Sequence, residues 1–421
     1  MNLILTCPTW LRLAILLVAG VCVGSLANLG IYRLGWNCRW ISPWSRPPAG
    51  VGPRRFWDRL PVIGWLGLSR EAPQHGRGFW IRPMLLELLA GAVFAGLYWW
   101  ETVAAGLLPP TLRGPLNVDM LGALHHQYAA HIVLFSLMWV ATWIDVDEKT
   151  IPDAVTVPGT LAALLFMAVW PTSLLPGAMA GPGGAPLVYF VMLTSPLDNQ
   201  PWLSPAGLGG AALALAMACW WLWCFAILPR SWYTRHGLCR AWQLCCARLV
   251  RQRSTYAILA MGLAGSAAIA GVRAWGGLHW AGLLSSLAGL AVGAGTIWIV
   301  RVLGSTVLGR EAMGFGDVTL MAMIGAMLGW QAAVIIFFLA PLLGVVVGLV
   351  QWALGESEIP YGPFLCLAAM VTLVAWATIW GRFQIYFALG WWLLGILLVC
   401  LAMIVVLLPL VRAILSLFRR P

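Results

Sequence analysis

The sequence predicts an all-α fold: a polytopic bundle of about 11 transmembrane helices, with a cytoplasmic arginine-rich loop domain after the first span. Hydrophobic residues make up 61% of the 421-residue chain and charged residues only 9%, whereas soluble proteins carry roughly 25% charged residues. The apolar residues form separate runs, and arginines collect in the loops between them. This composition excludes a soluble globular domain, a disordered chain and a collagen-like repeat.

The apolar runs predict membrane-crossing helices, because each approaches the roughly 20 residues that a bilayer requires. They lie at residues 13–32, 84–100, 128–144, 154–172, 205–228, 256–272, 280–300, 318–330, 332–353, 361–380 and 385–410. The first run follows Arg12, as in a signal peptide, but it continues into an arginine-rich loop, so we expect a retained helix. The run 318–330 is short and nearly continuous with the next, so instead of a full span it could form a half-helix or a re-entrant piece.

The distribution of arginine predicts the orientation of the bundle. The net charge is +11, and arginines concentrate in residues 33–82 and 229–255, whereas the loops 101–127 and 173–204 carry only Arg113. Cytoplasmic loops are enriched in Lys and Arg, so we expect an N-terminus outside and arginines that face anionic lipid rather than nucleic acid. The loop 173–204 is rich in Gly and Pro and is predicted to have no regular structure.

Two acidic residues lie at span ends on the same predicted side of the membrane. Asp145 directly follows the third apolar run, and Asp317, preceded by Gly314 and Gly316, directly precedes the eighth. Ionisable groups near membrane depth are costly and usually functional. The predicted topology therefore brings Asp145 and Asp317 to one membrane boundary, although they are far apart in sequence.

Two neighbouring carboxylates can carry out a specific reaction. They cannot both ionise cheaply, so they share a proton. The ionised carboxylate draws a proton from a water that attacks a peptide carbonyl, and the protonated one donates to the developing oxyanion or the leaving amine. This chemistry requires neither a metal nor a covalent intermediate. The glycines before Asp317 give the backbone freedom for a substrate strand to approach.

Other interpretations of these acids remain open. Asp317 is also a candidate helix N-cap, a position that favours Asp. Asp147, Glu148 and Asp153, which follow Asp145, are also typical of a solvated loop.

Four blocks of the chain resemble, in order, the type IV prepilin peptidases, and together they cover the regions 20–170 and 280–370. The blocks are Gly24-Ser25 with Asn28 and Arg33-Leu34; Arg59-Leu60-Pro61 with Arg82-Pro83 and Glu87; Ile144-Asp145 with Ile151-Pro152-Asp153; and Met313-Gly314-Phe315-Gly316-Asp317 with Ile359-Pro360-Tyr361-Gly362-Pro363.

The resemblance implies a GxGD membrane aspartic protease of the bacterial inner membrane. Members of that family cut the basic leader from type IV prepilins and type II secretion pseudopilins at the cytoplasmic face. By position, Asp145 and Asp317 are the expected catalytic pair, and Gly314 and Gly316 lie where the substrate approaches.

Three further acids match the family pattern. Asp147 and Asp153 are neighbours of the first catalytic position and are assigned to the substrate approach. Glu87 lies inside the second span, where a functional role and a polar contact within the bundle both remain open.

The resemblance implies no cofactor for proteolysis. It implies S-adenosylmethionine only if the family's second activity, methylation of the new N-terminus, is retained. Many relatives carry two C-x-x-C pairs after the first span, a zinc site that needs about four ligands. Residues 33–82 contain only Cys38 and His75 as such ligands. We therefore expect no zinc and no other metal, and methylation is in question.

The expected domain organisation follows these blocks. It comprises a first helix (1–32), a loop domain without the family's Cys pairs (33–83), helices with the first aspartate (84–172), an insertion of one outside loop, one span and one arginine-rich loop (173–255), helices with the GxGD block (256–380), and an extra span with a basic tail (381–421).

The expected partners are the lipid bilayer and a prepilin or pseudopilin helix within it. We hypothesise that Asp147, Glu148, Glu356 or Glu358 reads the basic leader of that helix. A transporter or channel with functional intramembrane acids is the main alternative. A protease that never methylates is another. A presenilin-like protease is disfavoured, because its Tyr-Asp and Pro-Ala-Leu motifs are not found at residues 144–145 and 340–342.

Overall fold

The computed structural model describes most of the chain as a bundle of helices. The described residues are 7–48, 50–114, 116–180, 186–195, 209–228, 251–309, 311, 313–353, 360–390, 392, 395–396, 398–400 and 402–403. The loop 229–255 lies largely outside them and the predicted last span, 385–410, lies partly outside, whereas the segment 354–359 with Glu356 and Glu358 lies wholly outside.

Most of the described residues belong to long helices that follow the apolar runs of the sequence. These helices are α1 (Thr9–Leu34), α2 (Ile81–Tyr98), α3 (Val118–Glu148), α4 (Asp153–Val169), α5 (Gly210–Ala226), α6 (Arg253–Trp275), α7 (Gly277–Leu308), α8 (Phe315–Leu328), α9 (Trp330–Ala353), α10 (Gly362–Val374) and α11 (Trp376–Phe387). Shorter helical segments occur at Phe56–Arg59, Ile63–Leu68, Ser69–Glu71, Ala72–His75, Pro110–Leu112 and Pro171–Ser173, and a π-helical turn occurs at Trp99–Val103.

The all-α fold is confirmed, but the count of about 11 spans is not. Among the described residues, six helices are long and apolar enough to cross a membrane, or seven if α10 and α11 count as one span. Three predicted spans form shorter helices, α4, α5 and α8. The predicted span 361–380 is bent by 94° between α10 and α11.

Helix α8 forms the centre of the largest hydrophobic core. Its residues are buried without interruption from Asp317 to Leu328, as expected for a helix that is apolar on all sides. Small residues let the neighbouring helix approach, since a Cβ at Gly289 or Gly293 of α7 would collide with backbone atoms of α8. The helix ends at Gly329, whose φ of +87° interrupts the helical conformation before α9 begins.

A pair of antiparallel strands covers the junction between α8 and α9. The strands lie in the loop 173–204, for which the sequence predicted no regular structure. Strand β1 (Pro176–Ala180) pairs antiparallel with β2 (Pro186–Phe190), and Pro176 lies opposite Phe190. The side chain of Gln331, at the start of α9, donates hydrogen bonds to the carbonyls of Met192 and Ser195, which follow β2. The expectation was wrong because these strand residues pair with each other and are covered by helices, which a scan for Gly and Pro does not reveal.

Buried ion pairs hold the segment between α1 and α2 together. Arg70 pairs with Asp58, and Arg54 pairs with Glu71 at 3.1 Å. The buried Asp58 also accepts a hydrogen bond from the backbone of Arg55 at 2.7 Å. Since this segment carries Cys38 as its one cysteine, charge pairing supplies cross-links that metal ligands would supply elsewhere.

Candidate active site

Asp145 is held at the C-terminal end of α3. The helix ends at Lys149, whose left-handed conformation (φ 54°) directs its N–H to the carbonyl of Asp145 at 2.8 Å. The chain then continues extended through Ile151 and Pro152 to the start of α4. The Asp145 side chain is only 4% exposed.

Asp317 lies in the first turn of α8. The N-cap residue is Gly314, so the alternative that Asp317 itself is the N-cap is wrong. Instead Asp317 is the third residue of the helix, and its carboxylate accepts a hydrogen bond from the Gly314 backbone, the back-reaching half of a capping box. Asp317 is 7% exposed.

Two glycines bring the ends of α3 and α8 together around Ile151. A Cβ at Gly316 would lie 2.8 Å from the Cβ of Ile151, and a Cβ at Gly362 would lie 2.8 Å from its Cδ1. Gly362 also donates its N–H to Oδ2 of Asp145 at 3.1 Å. Gly316, which lies beside Asp317, and Gly362, which is hydrogen-bonded to Asp145, therefore both pack against Ile151.

The two carboxylates are close enough to interact electrostatically, and their role as a catalytic pair stays a prediction. The charges of both aspartates also act on Cys366, one turn into α10, and the charge of Asp317 acts on Tyr361. No Lys or Arg contributes to the electrostatic surroundings of either aspartate among the described residues. Two acids without a cation favour one shared proton, which is the arrangement for acid–base catalysis on a bound water.

The neighbouring acids Asp147 and Glu148 are engaged in internal contacts. Asp147 pairs with Arg82 of α2 at 2.7 Å. Glu148 accepts hydrogen bonds from the backbone N–H groups of Trp36 and Asn37, the latter at 2.9 Å. These contacts speak against the hypothesis that Asp147 or Glu148 reads a basic leader, because each carboxylate already has a partner.

Glu87 anchors the segment between α1 and α2 to the bundle. Its fully buried carboxylate accepts hydrogen bonds from the Val62 backbone at 2.6 Å, from Trp65 Nε1 at 2.8 Å and from Asn28 Nδ2 at 3.2 Å. This arrangement matches the sequence alternative of a polar contact within the bundle, and a functional role for Glu87 stays a prediction.

The acids of the segment 33–83 are the side chains that bear on a cofactor there. Among the described residues, no group of three or more His, Cys, Asp or Glu side chains is arranged to hold a metal ion. S-adenosylmethionine would need acceptors for its amino group and ribose, but the buried carboxylates Asp58 and Glu71 are already paired with arginines. The residues described here therefore do not fit that cofactor, and we derive no methylation step from them.

Sequence reasoning missed two sets of buried residues. Ile151 and Gly362, which join the aspartates, lie inside motifs quoted for the family resemblance, but a motif does not tell which of its residues will touch. Glu101 and His131, both fully buried, are hydrogen-bonded to each other at 2.9 Å near the middle of α3. An ionisable residue inside a predicted span was the available signal for His131.

The fold and site define a polytopic helical membrane protein with a buried pair of aspartates at one end. Residues 245–349 match the family model described as the type IV leader peptidase family, and residues 18–101 match the bacterial peptidase A24 N-terminal domain. The resemblance to the type IV prepilin peptidases is thereby confirmed.

Curated relatives carry the same family's name. A prepilin leader peptidase/N-methyltransferase of Stutzerimonas stutzeri is 38% identical over 99 residues, and one of Pseudomonas aeruginosa is 36% identical over 99 residues; each match covers 23% of this chain and 34% of the relative. One of Aeromonas hydrophila is 37% identical over 112 residues, 23% of this chain and 39% of the relative. The chain thus spans a little over a third of the relatives it matches. No matching solved structure was found.

Proposed function

We propose that this chain is a membrane-embedded aspartic endopeptidase that removes the basic leader from a type IV prepilin or a type II secretion pseudopilin. The observation that carries the proposal is the convergence of Asp145 and Asp317, both buried, around Ile151 and Gly362, with no Lys or Arg among the described residues that acts on their charge. The family models and the names of the relatives support a peptidase.

In the proposed mechanism, the aspartate pair holds one proton and one water molecule. The ionised carboxylate takes a proton from the water as the water oxygen bonds to the scissile carbonyl carbon, and the protonated carboxyl gives its proton to the carbonyl oxygen. The tetrahedral intermediate then collapses: the C–N bond breaks, the leaving nitrogen takes up the proton held by the pair, and one hydroxyl of the intermediate gives its proton to the pair as the C=O bond re-forms. The pair returns to its starting state with a single proton.

The surroundings of the pair suit an extended substrate backbone. Gly316 lets Ile151 pack directly beside Asp317, and the Gly362 N–H holds one oxygen of Asp145 in place. A substrate helix must unwind at the scissile bond, because hydrolysis requires access to its carbonyl. The backbone is not helical directly before α8, and Asp317 lies in the first turn of that helix. Non-helical backbone at membrane depth is tolerated where it lines such a site.

The proposed setting is a bacterial inner membrane, with the N-terminus outside and the aspartates facing the cytoplasm. We propose that the short helices α4, α5 and α8 cross the bilayer together with the longer ones, since all three continue the alternation of arginine-rich and arginine-poor loops. A reporter enzyme fused within residues 229–250 should be exposed to the cytoplasm, and one fused within residues 196–208 should be exposed outside. The opposite pattern would refute this orientation.

Leader removal by defined variants tests the proposed activity. Membranes containing the wild type, Asp145→Asn, Asp317→Asn or the control Asp119→Asn are incubated with a prepilin, and the shortened product is followed by gel mobility. Asp119 is exposed at the opposite end of α3 from Asp145, so that control should cleave normally. Cleavage by either site variant would refute the pair, and no cleavage by the wild type would favour a transporter or channel.

The proposal covers proteolysis alone. Mass spectrometry of the mature pilin produced by this chain should find an unmethylated N-terminus, because the acids of the segment 33–83 that S-adenosylmethionine would need are paired with arginines. A mass increase of one methyl group would show that another surface of the chain binds the cofactor.

A further inference from the structure

An open cleft of about 500 Å³ lies beside the aspartate pair. One wall is formed by Leu34, Gly35 and Trp36, where α1 ends, and the other by Ile151, Pro152 and Asp153, where α4 begins. The walls come from segments more than 100 residues apart in sequence, so only the folded protein brings them together.

The first wall is fixed to the helix that carries Asp145. The carboxylate of Glu148, in the last turn of α3, accepts hydrogen bonds from the N–H groups of Trp36 and Asn37. The approach is close at Gly35, since a Cβ there would lie 2.6 Å from Oε1 of Glu148. The cleft is therefore preformed rather than a gap between mobile loops.

The second wall connects the cleft with the aspartates. Ile151 lines the cleft, and the same residue packs against Gly316 and Gly362, the glycines beside Asp317 and Asp145. The cleft thus adjoins the side chain against which both of these glycines pack.

Asp153 is the acid of this cleft that remains available to a ligand. Asp147 is paired with Arg82, and Glu148 is bonded to the opposite wall. Asp153 is exposed, and among the described residues it has neither an ion-pair nor a hydrogen-bond partner, nor does it cap α4. A carboxylate in a preformed cleft is complementary to a cationic side chain.

We propose that Asp153 is a specificity-determining residue, whose carboxylate binds a Lys or Arg of the substrate's leader in the cleft between residues 34–36 and 151–153. This inference rests on the proposed function and deepens it: it assigns the leader to the cleft and the scissile bond to the aspartate pair. Asp153 takes no part in the chemistry itself. Its alternative role, a favourable charge at the start of α4, would not depend on the substrate.

The test uses two prepilins that differ only in the leader, one with its basic residues and one with these replaced by Gln. Cleavage rates in membranes are compared for the wild type, Asp153→Asn, Asp153→Glu and the control Asp119→Asn. Asp153→Asn should lower kcat/KM for the basic leader about threefold to fivefold, through KM, as expected for a partly exposed ion pair. It should leave the Gln leader unchanged, and Asp153→Glu should restore the preference.

A charge exchange sharpens this test. Asp153→Lys should cleave a substrate with Glu in place of the basic leader residues better than the wild type does. Equal losses on the basic and Gln leaders would overturn the proposal and assign Asp153 a structural role, and no loss on either would overturn it too. If the wild type cleaves neither substrate, the proposed function itself fails; a wild type that cleaves both, without a leader-dependent effect of Asp153, refutes only this inference.

Discussion

Helix α3 carries two buried ionisable residues, His131 near its middle and Asp145 near its C-terminal end, and the two have opposite kinds of partner. His131 bonds to Glu101, an acid of the π-helical turn after α2, at 2.9 Å, with both side chains fully buried. Asp145, about 21 Å further along the helix by its rise per residue, faces a second acid, Asp317. The first pair joins a base to an acid, whereas the second joins two acids.

This difference separates a structural contact from a reactive one. Glu101 and His131 share one direct hydrogen bond that ties α3 to the π-helical turn, although Glu101 Oε2 and His131 Nε2 have no further partner among the described residues. Two carboxylates can satisfy each other only by sharing a proton, and a water or a substrate completes their hydrogen bonds. The acid pair is also bordered by glycine backbone and by an open cleft. These features predict different responses to matched substitutions.

The largest expected difference concerns catalysis. Asp317→Asn should reduce leader cleavage by about a thousandfold or more, because it removes a group that transfers protons. Glu101→Gln, the same carboxylate-to-amide change, should keep the cleavage rate within about threefold, since the amide still bonds to His131. Initial rates with one prepilin measure both. A loss of similar size for Glu101→Gln would erase the distinction between the two pairs.

The second prediction reverses the comparison by measuring stability. Glu101→Ala should lower the free energy of unfolding by about 2 kcal/mol, because it leaves the imidazole of His131 buried without its partner. The double variant Glu101→Ala/His131→Ala should lose less free energy of unfolding than the two single variants lose in sum. Thermal unfolding in detergent checks this result, and additive effects of the two substitutions would contradict a direct pairing.

The third prediction concerns the geometry of the acid pair. Gly362→Ala should lower kcat about 10-fold to 100-fold, because the new Cβ would lie 2.6 Å from Oδ2 of Asp145. Gly381→Ala is the matched control, since a Cβ at Gly381 meets nothing within 4 Å. Single-turnover cleavage separates this effect from a change in substrate binding. Equal rates for the two variants would mean that Asp145 does not need the Gly362 contact.

The smallest effect is expected at a third pair, Asp58 and Arg70, in the segment between α1 and α2. Burial alone would raise the pKa of Asp58, but the hydrogen bonds from Arg70 and the Arg55 backbone outweigh it and hold the pKa below its usual range. A lowered pKa in the folded state stabilises the fold above about pH 4, the unfolded value, and this stability is lost as the pH falls through the folded value.

Asp58→Asn should therefore cost about 1 kcal/mol at neutral pH and flatten the acid limb of the stability curve. Limited proteolysis between residues 33 and 83, followed as a function of pH, measures this effect locally. A variant with the same acid sensitivity as the wild type would exclude Asp58 as its source.

Much of the fold could be predicted from the sequence, because each membrane helix corresponds to one continuous run of apolar residues. A run of apolar residues long enough to cross the bilayer has few alternatives to a helix, since backbone groups in lipid must bond within the segment. Each predicted run before residue 385 therefore contains a described helix, and the break at Gly329 was visible between two runs. The placement of Asp145 and Asp317 at the ends of such runs followed from the same pattern.

Contacts between distant segments depended on packing that no local pattern records. The 94° bend before Trp376 has no proline or glycine to announce it. The partners of Asp147, Glu148 and Glu87 lie 22 or more residues away in sequence, so their engagement could not be inferred from composition or spacing.

Hydropathy and residue order thus determined by themselves where the helices run and which acids lie at their ends, because a bilayer imposes that pattern on each segment independently. The tertiary structure alone decided which acids meet. Helices α3 and α8 approach closely enough only because Gly316 and Gly362 leave room for Ile151 between them, and this steric fit is a property of three segments at once.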